Sequence, residues 1–203
     1  MLSDLPPDLR SFLRRLPLGA AAALALWFAV LGSVWAPALT FGTEKAIRAI
    51  ESPKVTMLSW EREEAAVAIQ RSDFSTQSDV PGYRNLDAIS GNAVLLLALV
   101  FATPGLSRGS TIFRSGLAVL ALVLAHVVHV RVAIEMIYAT QLGEWSTVAY
   151  APWKRETLGA LRYFFDLVLR YAIPVVVYVL FVFIPRRREL EDEEAAVAGA
   201  AGA

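Results

Sequence analysis

Long runs of apolar residues constrain the fold of this chain more than any other feature of its sequence. A helix needs about 20 mostly apolar residues to cross the hydrocarbon core of a bilayer, which is about 30 Å thick. The chain has 203 residues, of which 56% are hydrophobic, so it can supply several such helices. Candidate runs lie at residues 16–36, 89–106, 113–139 and 163–184. We therefore predict an all-α membrane protein, a four-helix transmembrane bundle with a small mixed extracytoplasmic segment.

The ends of the predicted spans are marked by basic residues and prolines. Residues 1–15 form a basic N-terminus, and Pro37 follows the first span, so we expect a retained anchor helix that ends at Ala36. A cleaved signal peptide is the competing interpretation, but a proline directly after Ala36 makes a poor cleavage site. We expect Pro174 to kink the fourth span.

The distribution of basic residues predicts the orientation of the chain in the membrane. One side would hold the N-terminus, the turn at residues 107–112 with Arg114 just after it, and the tail at residues 185–203, with eight basic residues in about 41 positions. The other side would hold residues 37–88 and 140–162, with nine basic residues in about 75 positions. We therefore predict a multi-pass protein of the bacterial inner membrane with both termini in the cytoplasm and a disordered tail.

Two segments are predicted to lie outside the cytoplasm. Residues 37–88 are too few to build a full hydrophobic core alone. Within them the pattern predicts a short helix at 43–51, a strand at 55–60, a strand or a helix at 61–70, and a polar loop at 72–85. Residues 140–162 form an aromatic loop, which is either an interfacial anchor that leads into an outward extension of the fourth helix or a surface that docks a partner. Its candidate docking residues are Trp145, Tyr150, Trp153 and Arg155.

Four charged residues fall inside the third and fourth predicted spans. Arg131 and Glu135 are four residues apart on one helix, and Asp166 and Arg170 are four apart on the other. Each helix therefore presents one acid and one base on one face, and antiparallel packing with a shift of one turn would give crossed ion pairs. Such a quartet either holds the helices in register or lines a polar cavity that receives a carboxylate, a phosphate or a peptide group.

The only histidines, His126 and His129, also lie in the third predicted span. They lie nearly opposite Arg131 and Glu135 around the helix, so we expect them to face a different neighbour. Hydrogen bonding between helices, a proton relay and a metal or haem site are the open interpretations. A site built from histidine alone would need a second chain, so we predict no metal and no cofactor.

Several classes of function are disfavoured by what the sequence lacks. The absence of cysteine excludes disulfide scaffolds, thiolate metal sites and thiol nucleophiles. The 19 basic and 19 acidic side chains give zero net charge, so no bulk basic field attracts nucleic acid. The sequence has no phosphate-binding glycine loop and no metalloprotease motif. It also has no recognisable Ser/His/Asp set, and we therefore predict no enzymatic activity.

The order of these features resembles a known family. A basic N-terminus leads into a first span with Leu26-Trp27-Phe28, and residues 37–88 follow it. The run LALVFATP at 97–104 then precedes a short arginine-bearing turn, and the final span ends in arginines. In this arrangement the chain resembles the exosortase H-associated integral membrane proteins. The resemblance covers most of the chain in architecture and one short motif in sequence.

The resemblance implies a partner of an exosortase, an integral-membrane cysteine transpeptidase that processes the C-terminal sorting signals of exported proteins. This chain cannot be the exosortase itself because it has no cysteine. We therefore expect a non-enzymatic accessory or assembly subunit that contacts the lipid bilayer and another integral membrane protein. The alternative is a small transporter or proton-coupled component that uses the ionisable residues of the third and fourth spans.

Overall fold

A computed structural model describes residues 7–73, 80–84, 86–104, 109–185 and 187–188, without the side chains of residues 7, 8, 87–90, 169 and 170. It is mostly helical and contains a small two-stranded sheet. Two helical stretches, Leu9–Ile50 and Gly109–Thr140, are long and apolar enough to cross a membrane. A third span is present if the stretches Pro152–Val168 and Tyr171–Phe183 are counted as one. These helices indicate a membrane location. Most of the disordered tail predicted at 185–203 lies outside the described residues, whereas Pro185, Arg187 and Arg188 are described and are helical.

The first helix is longer than predicted. Helix α1 (Pro7–Leu26) continues through a π-helical turn (Trp27–Leu31) into α2 (Gly32–Ile50), so the expectation that the helix ends at Ala36 is wrong. Pro37 removes only one backbone hydrogen bond, and burial of one face of α2 on both sides of Pro37 outweighs that loss. The buried residues are Trp35, Ala36, Leu39, Thr40, Thr43 and Ile47. Helix α2 ends at Ile50, one residue before the end of the short helix predicted at 43–51.

A β-hairpin follows α2. Strands β1 (Thr56–Glu61) and β2 (Ala66–Arg71) pair antiparallel, from Thr56↔Arg71 to Glu61↔Ala66. This confirms the strand predicted at 55–60 and shows that most of 61–70, which was compatible with either structure, is a strand. Tyr83 forms a bridge with Val67 on the other edge of β2, with both N–O distances at 2.9 Å. Part of the polar loop predicted at 72–85 lies outside the described residues.

The free edge of β1 is closed by two carboxylates from the end of α2. The backbone N–H of Leu58 donates to Glu44 Oε2 at 3.0 Å, and that of Thr56 donates to Glu51 Oε2 at 3.0 Å. An exposed strand edge is a template for pairing with another strand, and acceptors that occupy its N–H groups remove that possibility. The hairpin is therefore held against α2 through its own backbone.

Two apolar helices follow the hairpin. Helix α3 (Leu86–Ala102) covers most of the predicted span 89–106 but has only 17 residues. Its last turn is closed by the Thr103 hydroxyl, which donates to the carbonyl of Leu99 at 2.9 Å. Helix α4 (Gly109–Thr140) has 32 residues and contains the whole of the predicted span 113–139. It is therefore longer than a hydrocarbon core requires.

The region predicted as an aromatic loop is mostly helical. The chain turns at Gly143, where φ is 60°, and forms α5 (Glu144–Ala149) and α6 (Pro152–Phe164). The Ser146 hydroxyl closes this turn by accepting from the N–H of Leu142 at 2.9 Å and donating to the carbonyl of Tyr138 at 2.7 Å. Helix α6 continues directly into the next helical turn, at Phe165–Leu169, which agrees with the expected outward extension of the fourth helix, whereas α5 was not predicted.

The last helical stretch is interrupted. A π-helical turn (Phe165–Leu169) follows α6 and leads into α7 (Arg170–Tyr178), which contains Pro174. Proline has no N–H to donate to the carbonyl four residues earlier, which agrees with the irregularity expected near Pro174. A further π-helical turn (Val179–Phe183) follows α7.

The chain divides into two compact units. The first draws on Met1–Ala25, Ala93–Leu122 and Ala172–Ala203, and the second on Leu26–Asn92 and Val123–Tyr171. In the first unit α1 and α3 approach closely, because a Cβ on Gly19 would lie 2.8 Å from the carbonyl oxygen of Ala98. A hydrogen bond of 2.9 Å also joins the hydroxyls of Thr103 and Tyr178 there. The second unit holds the hairpin and every predicted site residue.

Candidate functional site

Arg71, at the end of β2, forms the centre of a polar and aromatic cluster in the second unit. Its guanidinium contacts Glu51 Oε1 at 3.2 Å and Asp73 Oδ2 at 2.7 Å. The same group lies over the rings of Tyr138 and Trp145, 4.8 and 4.9 Å from their centroids. Only 9% of the Arg71 side chain is exposed, so it is buried with both of its charge partners and both rings in place. We call these five residues the Arg71 cluster.

Thr56 links the Arg71 cluster to the start of the hairpin. Its hydroxyl donates to Glu51 Oε1 at 2.7 Å and lies 3.0 Å from the Tyr138 hydroxyl. Because the Thr56 proton is used by Glu51, the Tyr138 hydroxyl is the donor in the second bond. The hairpin, the end of α2 and the last turn of α4 are therefore joined by one hydrogen-bonded network.

Charges and burial in the second unit shift the pKa values of Asp73 and Tyr150. The Arg71 guanidinium, through its hydrogen bond, holds the pKa of the Asp73 carboxyl below its ordinary value. Burial raises the pKa of the Tyr150 hydroxyl, and the negative charge of Glu135 adds to this effect. Asp73 is therefore a carboxylate at neutral pH, and Tyr150 is a neutral hydrogen-bond donor.

The residues predicted to dock a partner are not displayed together. Tyr150 is buried, and its hydroxyl donates to Glu135 Oε2 at 3.0 Å. Trp145 packs against Tyr150 at a centroid distance of 5.9 Å, in addition to its contact with Arg71. Trp153, in contrast, is 69% exposed, and Arg155 is half-buried. Two of the four residues therefore stabilise the unit, and Trp153 is the one that a partner could reach.

The charged residues predicted to lie within the membrane pair differently from the prediction. Asp166 accepts a hydrogen bond from His129 Nε2 at 2.8 Å and faces Arg162 Nε at 3.4 Å, so the expected pair Arg131–Asp166 does not form. The His129 ring also stacks on Phe165 at a centroid distance of 5.3 Å. The π-helical turn thus meets α4 on its histidine side, and the expectation that His129 faces a different neighbour from Asp166 is wrong.

Glu135 and Arg131 are separate from that contact. Glu135 bonds to Tyr150, and the side chain of its expected partner Arg170 lies outside the described residues. Arg131 is half-buried and forms no hydrogen bond or ion pair within the described part of the chain. Of the two crossed pairs, Arg131–Asp166 therefore does not form, and Glu135–Arg170 involves a side chain outside the described residues.

His126 is buried against α2. Its relative exposure is 2%, and its ring meets the ring of Trp35 edge to face at 5.9 Å. Neither ring nitrogen has a hydrogen-bond partner among the described residues, so the expected bond between helices forms for His129 and not for His126. Groups of three or more side chains able to hold a metal are absent from the described residues.

Sequence reasoning missed the Arg71 cluster. Glu51 lies 20 residues before Arg71, and Asp73 lies two residues after it. The two aromatic members lie much later in the chain. The only local signal was an arginine at the end of an alternating strand pattern, and surface strands carry such residues routinely. Nothing in the sequence indicates that Glu44 and Glu51 have a structural role, because carboxylates near the end of a helix are common on solvated faces.

Comparison with known proteins adds no assignment. No family model matches the sequence, and neither a curated protein nor a solved structure matches it significantly. Most of the charged and aromatic groups of the second unit described above contact one another. Their main effect is therefore to stabilise the fold of that unit.

Proposed function

We propose that the chain is a non-enzymatic accessory or assembly subunit of the bacterial inner membrane. In this proposal α3 acts as a fourth span, the protein is a four-helix transmembrane bundle, and both termini are cytoplasmic. The hairpin, α5 and the start of α6 then lie outside the cytoplasm. The arginine distribution and the 17-residue length of α3, at the lower limit for a span, support this arrangement.

The Arg71 cluster is the observation that carries the proposal. A buried arginine with two carboxylates and two aromatic rings fixes the hairpin on the ends of α2 and α4. A rigid small module on transmembrane helices suits a subunit that presents a fixed surface to another membrane protein. The resemblance to exosortase H-associated proteins supports an exosortase-type partner, which acts on sorting signals outside the cytoplasm.

Site-specific photo-crosslinking tests this function in the native membrane. A photoreactive amino acid at Trp153, which is 69% exposed, is expected to crosslink to an exosortase-type protein identified by mass spectrometry. The matched control places the same group at Leu120, an exposed position in the long apolar helix α4, where only lipid adducts are expected. Loss of the chain should also reduce processing of C-terminal sorting signals. If the group at Trp153 formed only lipid adducts, and cells without the chain still processed C-terminal sorting signals normally, the proposal would be contradicted.

A proton-coupled membrane component is the second candidate. The observation that favours it is the 2.8 Å contact between His129 Nε2 and Asp166 Oδ1, near a second buried histidine. A histidine and a carboxylate in hydrogen-bond contact can exchange a proton. In proteoliposomes with an internal pH dye, wild type would then move protons and His129→Gln would not. Equal dye signals from both, at the level of empty liposomes, would exclude this candidate.

A further inference from the structure

Arg131 lies at one end of the longest stretch of α4 that is free of charged residues. Between Arg114 and Arg131 there is no Asp, Glu, Lys or Arg, and the two are 17 residues apart. At 1.5 Å per residue this distance is about 26 Å, close to the thickness of a hydrocarbon core once long side chains reach outward. The charge-free stretch therefore places Arg131 at the border between acyl chains and headgroups.

The remaining end of α4 supports this placement. Tyr138, seven residues beyond Arg131, takes part in the Arg71 cluster with its buried ion pairs. Such a cluster, with exposed charges around it, is costly within hydrocarbon and belongs in the aqueous phase. The border must therefore lie between the apolar stretch and Tyr138, which is where Arg131 lies.

A tyrosine on α6 lies at the same height as Arg131. A Cβ on Gly159 would lie 3.6 Å from Met136 Cε, and Asp166 accepts a hydrogen bond from His129. The two contacts are seven residues apart on each helix, so α6 with its following turn runs antiparallel to α4 and in step with it. Tyr163 is then level with Arg131 and Val132, and it is 68% exposed. Exposed tyrosines are enriched at the interface of a membrane.

Arg131 also continues the exposed apolar face of α4. Leu124 and Leu120, seven and eleven positions before Arg131, lie on the same face of the helix as Arg131. Val128 and Leu117, three and fourteen positions before it, flank that face. The exposed fractions of Val128, Leu124, Leu120 and Leu117 are 46, 56, 53 and 36%. A face of this kind on a membrane helix is in contact with acyl chains, so the Arg131 side chain projects from the lipid-facing side.

The charge of Arg131 has no partner within the described part of the chain. The nearest carboxylate along the same face, Glu135, accepts from Tyr150, and Asp166 is bonded to His129 and faces Arg162. An arginine at the edge of the hydrocarbon requires an anion or water, and its planar guanidinium suits the oxygens of a phosphate. We propose that Arg131 binds the phosphate group of a membrane phospholipid in the leaflet on the hairpin's side.

Native mass spectrometry of the full chain in mild detergent tests this site. Titration with phosphatidylglycerol gives an apparent affinity for the first bound lipid, and Arg131→Gln is expected to lower it about tenfold. The matched control is Arg62→Gln, which removes the same charge from the exposed hairpin loop and should change the affinity less than about twofold. An equal loss in both variants, or no loss in either, would overturn the proposal.

Two arms with the wild-type chain keep the test independent of how the variants fold. Diacylglycerol, which has the same acyl chains and no phosphate, should bind at least about tenfold more weakly than phosphatidylglycerol. Inorganic phosphate at millimolar concentration should not displace the lipid. Equal binding of diacylglycerol, or displacement by inorganic phosphate, would show that acyl chains or a soluble anion occupy the site and would overturn the proposal.

A further measurement distinguishes lipid from a protein neighbour on the same face. Because the chain has no cysteine, Leu124→Cys gives a single attachment point for a nitroxide label in native membranes. A lipid-facing label is accessible to dissolved oxygen, as is expected here, and a label at buried Ile134→Cys is the inaccessible control. A label at Leu124 as inaccessible as that at Ile134 would mean that another helix covers the face, and the lipid site would be abandoned.

Discussion

At the scale of single residues, Arg71 has the largest structural role in the second unit. Its guanidinium bonds to Glu51 and Asp73 and covers two aromatic rings, a combination that the single ammonium of lysine cannot reproduce. Glu51 is only 15% exposed, so removal of Arg71 leaves a nearly buried carboxylate without its cation. Such uncompensated charges are among the most destabilising changes in proteins.

We therefore expect Arg71→Met to lower the unfolding free energy of the hairpin unit by about 3 kcal/mol. Arg71→Lys should recover only part of this loss. The measurement is thermal unfolding followed by tryptophan fluorescence, with Arg62→Met as the control for a loss of charge on the hairpin surface. A wild-type melting temperature for Arg71→Met would contradict the assignment of Arg71 as the centre of the cluster.

Asp73 predicts a pH dependence. The pKa of Asp73 in the folded protein is depressed below the unfolded value of 3.8. The contribution of its carboxylate to the unfolding free energy is therefore present above pH 3.8 and is lost as the pH falls through the folded pKa. Because the carboxylate is 36% exposed, the contribution at pH 7 should be only about 0.5 kcal/mol. Asp73→Asn is thus slightly less stable than wild type at pH 7 and equal to it near pH 3. A difference of constant size across this range would refute the ionic origin of the effect.

At the scale of secondary-structure elements, the edge of β1 is the feature that separates this hairpin from an isolated one. A two-stranded hairpin alone is marginal in water, and this one gains two hydrogen bonds from the carboxylates of Glu44 and Glu51. Glu44 also contacts Arg48 at 3.3 Å on the same helix, which holds the carboxylate in place. The end of α2 therefore supplies hydrogen-bond acceptors to the edge of β1, as a neighbouring strand would.

Glu44→Ala should expose the N–H of Leu58 and cost about 1–2 kcal/mol in the unfolding free energy of the hairpin. Hydrogen exchange at Leu58 should accelerate about tenfold, whereas Glu44→Gln, which keeps an acceptor oxygen, should accelerate it less. The amide of Val67, bonded to Tyr83 on the other edge, is the internal reference. Unchanged exchange at Leu58 in the alanine variant would mean that the edge is protected by another contact.

The close approach of α1 and α3 gives a prediction with a built-in control. A Cβ at Gly19 would lie 2.8 Å from the carbonyl oxygen of Ala98 and 3.0 Å from the nitrogen of Ala102, both of them backbone atoms. Gly19→Ala should therefore destabilise the first unit by about 1–3 kcal/mol. Gly116→Ala, where nothing lies within 4 Å, should be neutral or slightly stabilising because alanine favours helix. Equal melting temperatures for the two variants would contradict the close packing.

The elements show which parts of the fold were accessible from sequence. The helix predicted at 113–139 and the strand at 55–60 were correct because their patterns are local and strongly periodic. The end of the first helix was predicted wrongly at Ala36, since the burial that carries α2 past Pro37 depends on contacts far along the chain. The bond between His129 and Asp166 was missed for the same reason, because the side of α4 that meets α6 is decided by tertiary packing.

At the scale of the whole molecule, the proposed topology can be tested directly because the natural chain has no cysteine. Glu63→Cys in the hairpin loop should react with a membrane-impermeant maleimide on whole cells without an outer membrane. Arg188→Cys, near the end of the described residues, should react only after the membrane is broken. Leu124→Cys, in the apolar part of α4, should react in neither case. Labelling of Arg188→Cys on intact cells would reverse the proposed orientation.

The bond between Thr56 and Tyr138 joins residues that are 82 positions apart. At synthesis rates of about 5–20 residues per second, roughly 4–16 s separate the appearance of these two residues at the ribosome. During that interval the residues of α2 and of both strands have been made, but the rings that enclose Arg71 have not. We therefore expect the newly made hairpin to be exposed to proteases and chaperones until Tyr138 at the end of α4 and Trp145 at the start of α5 have both been made.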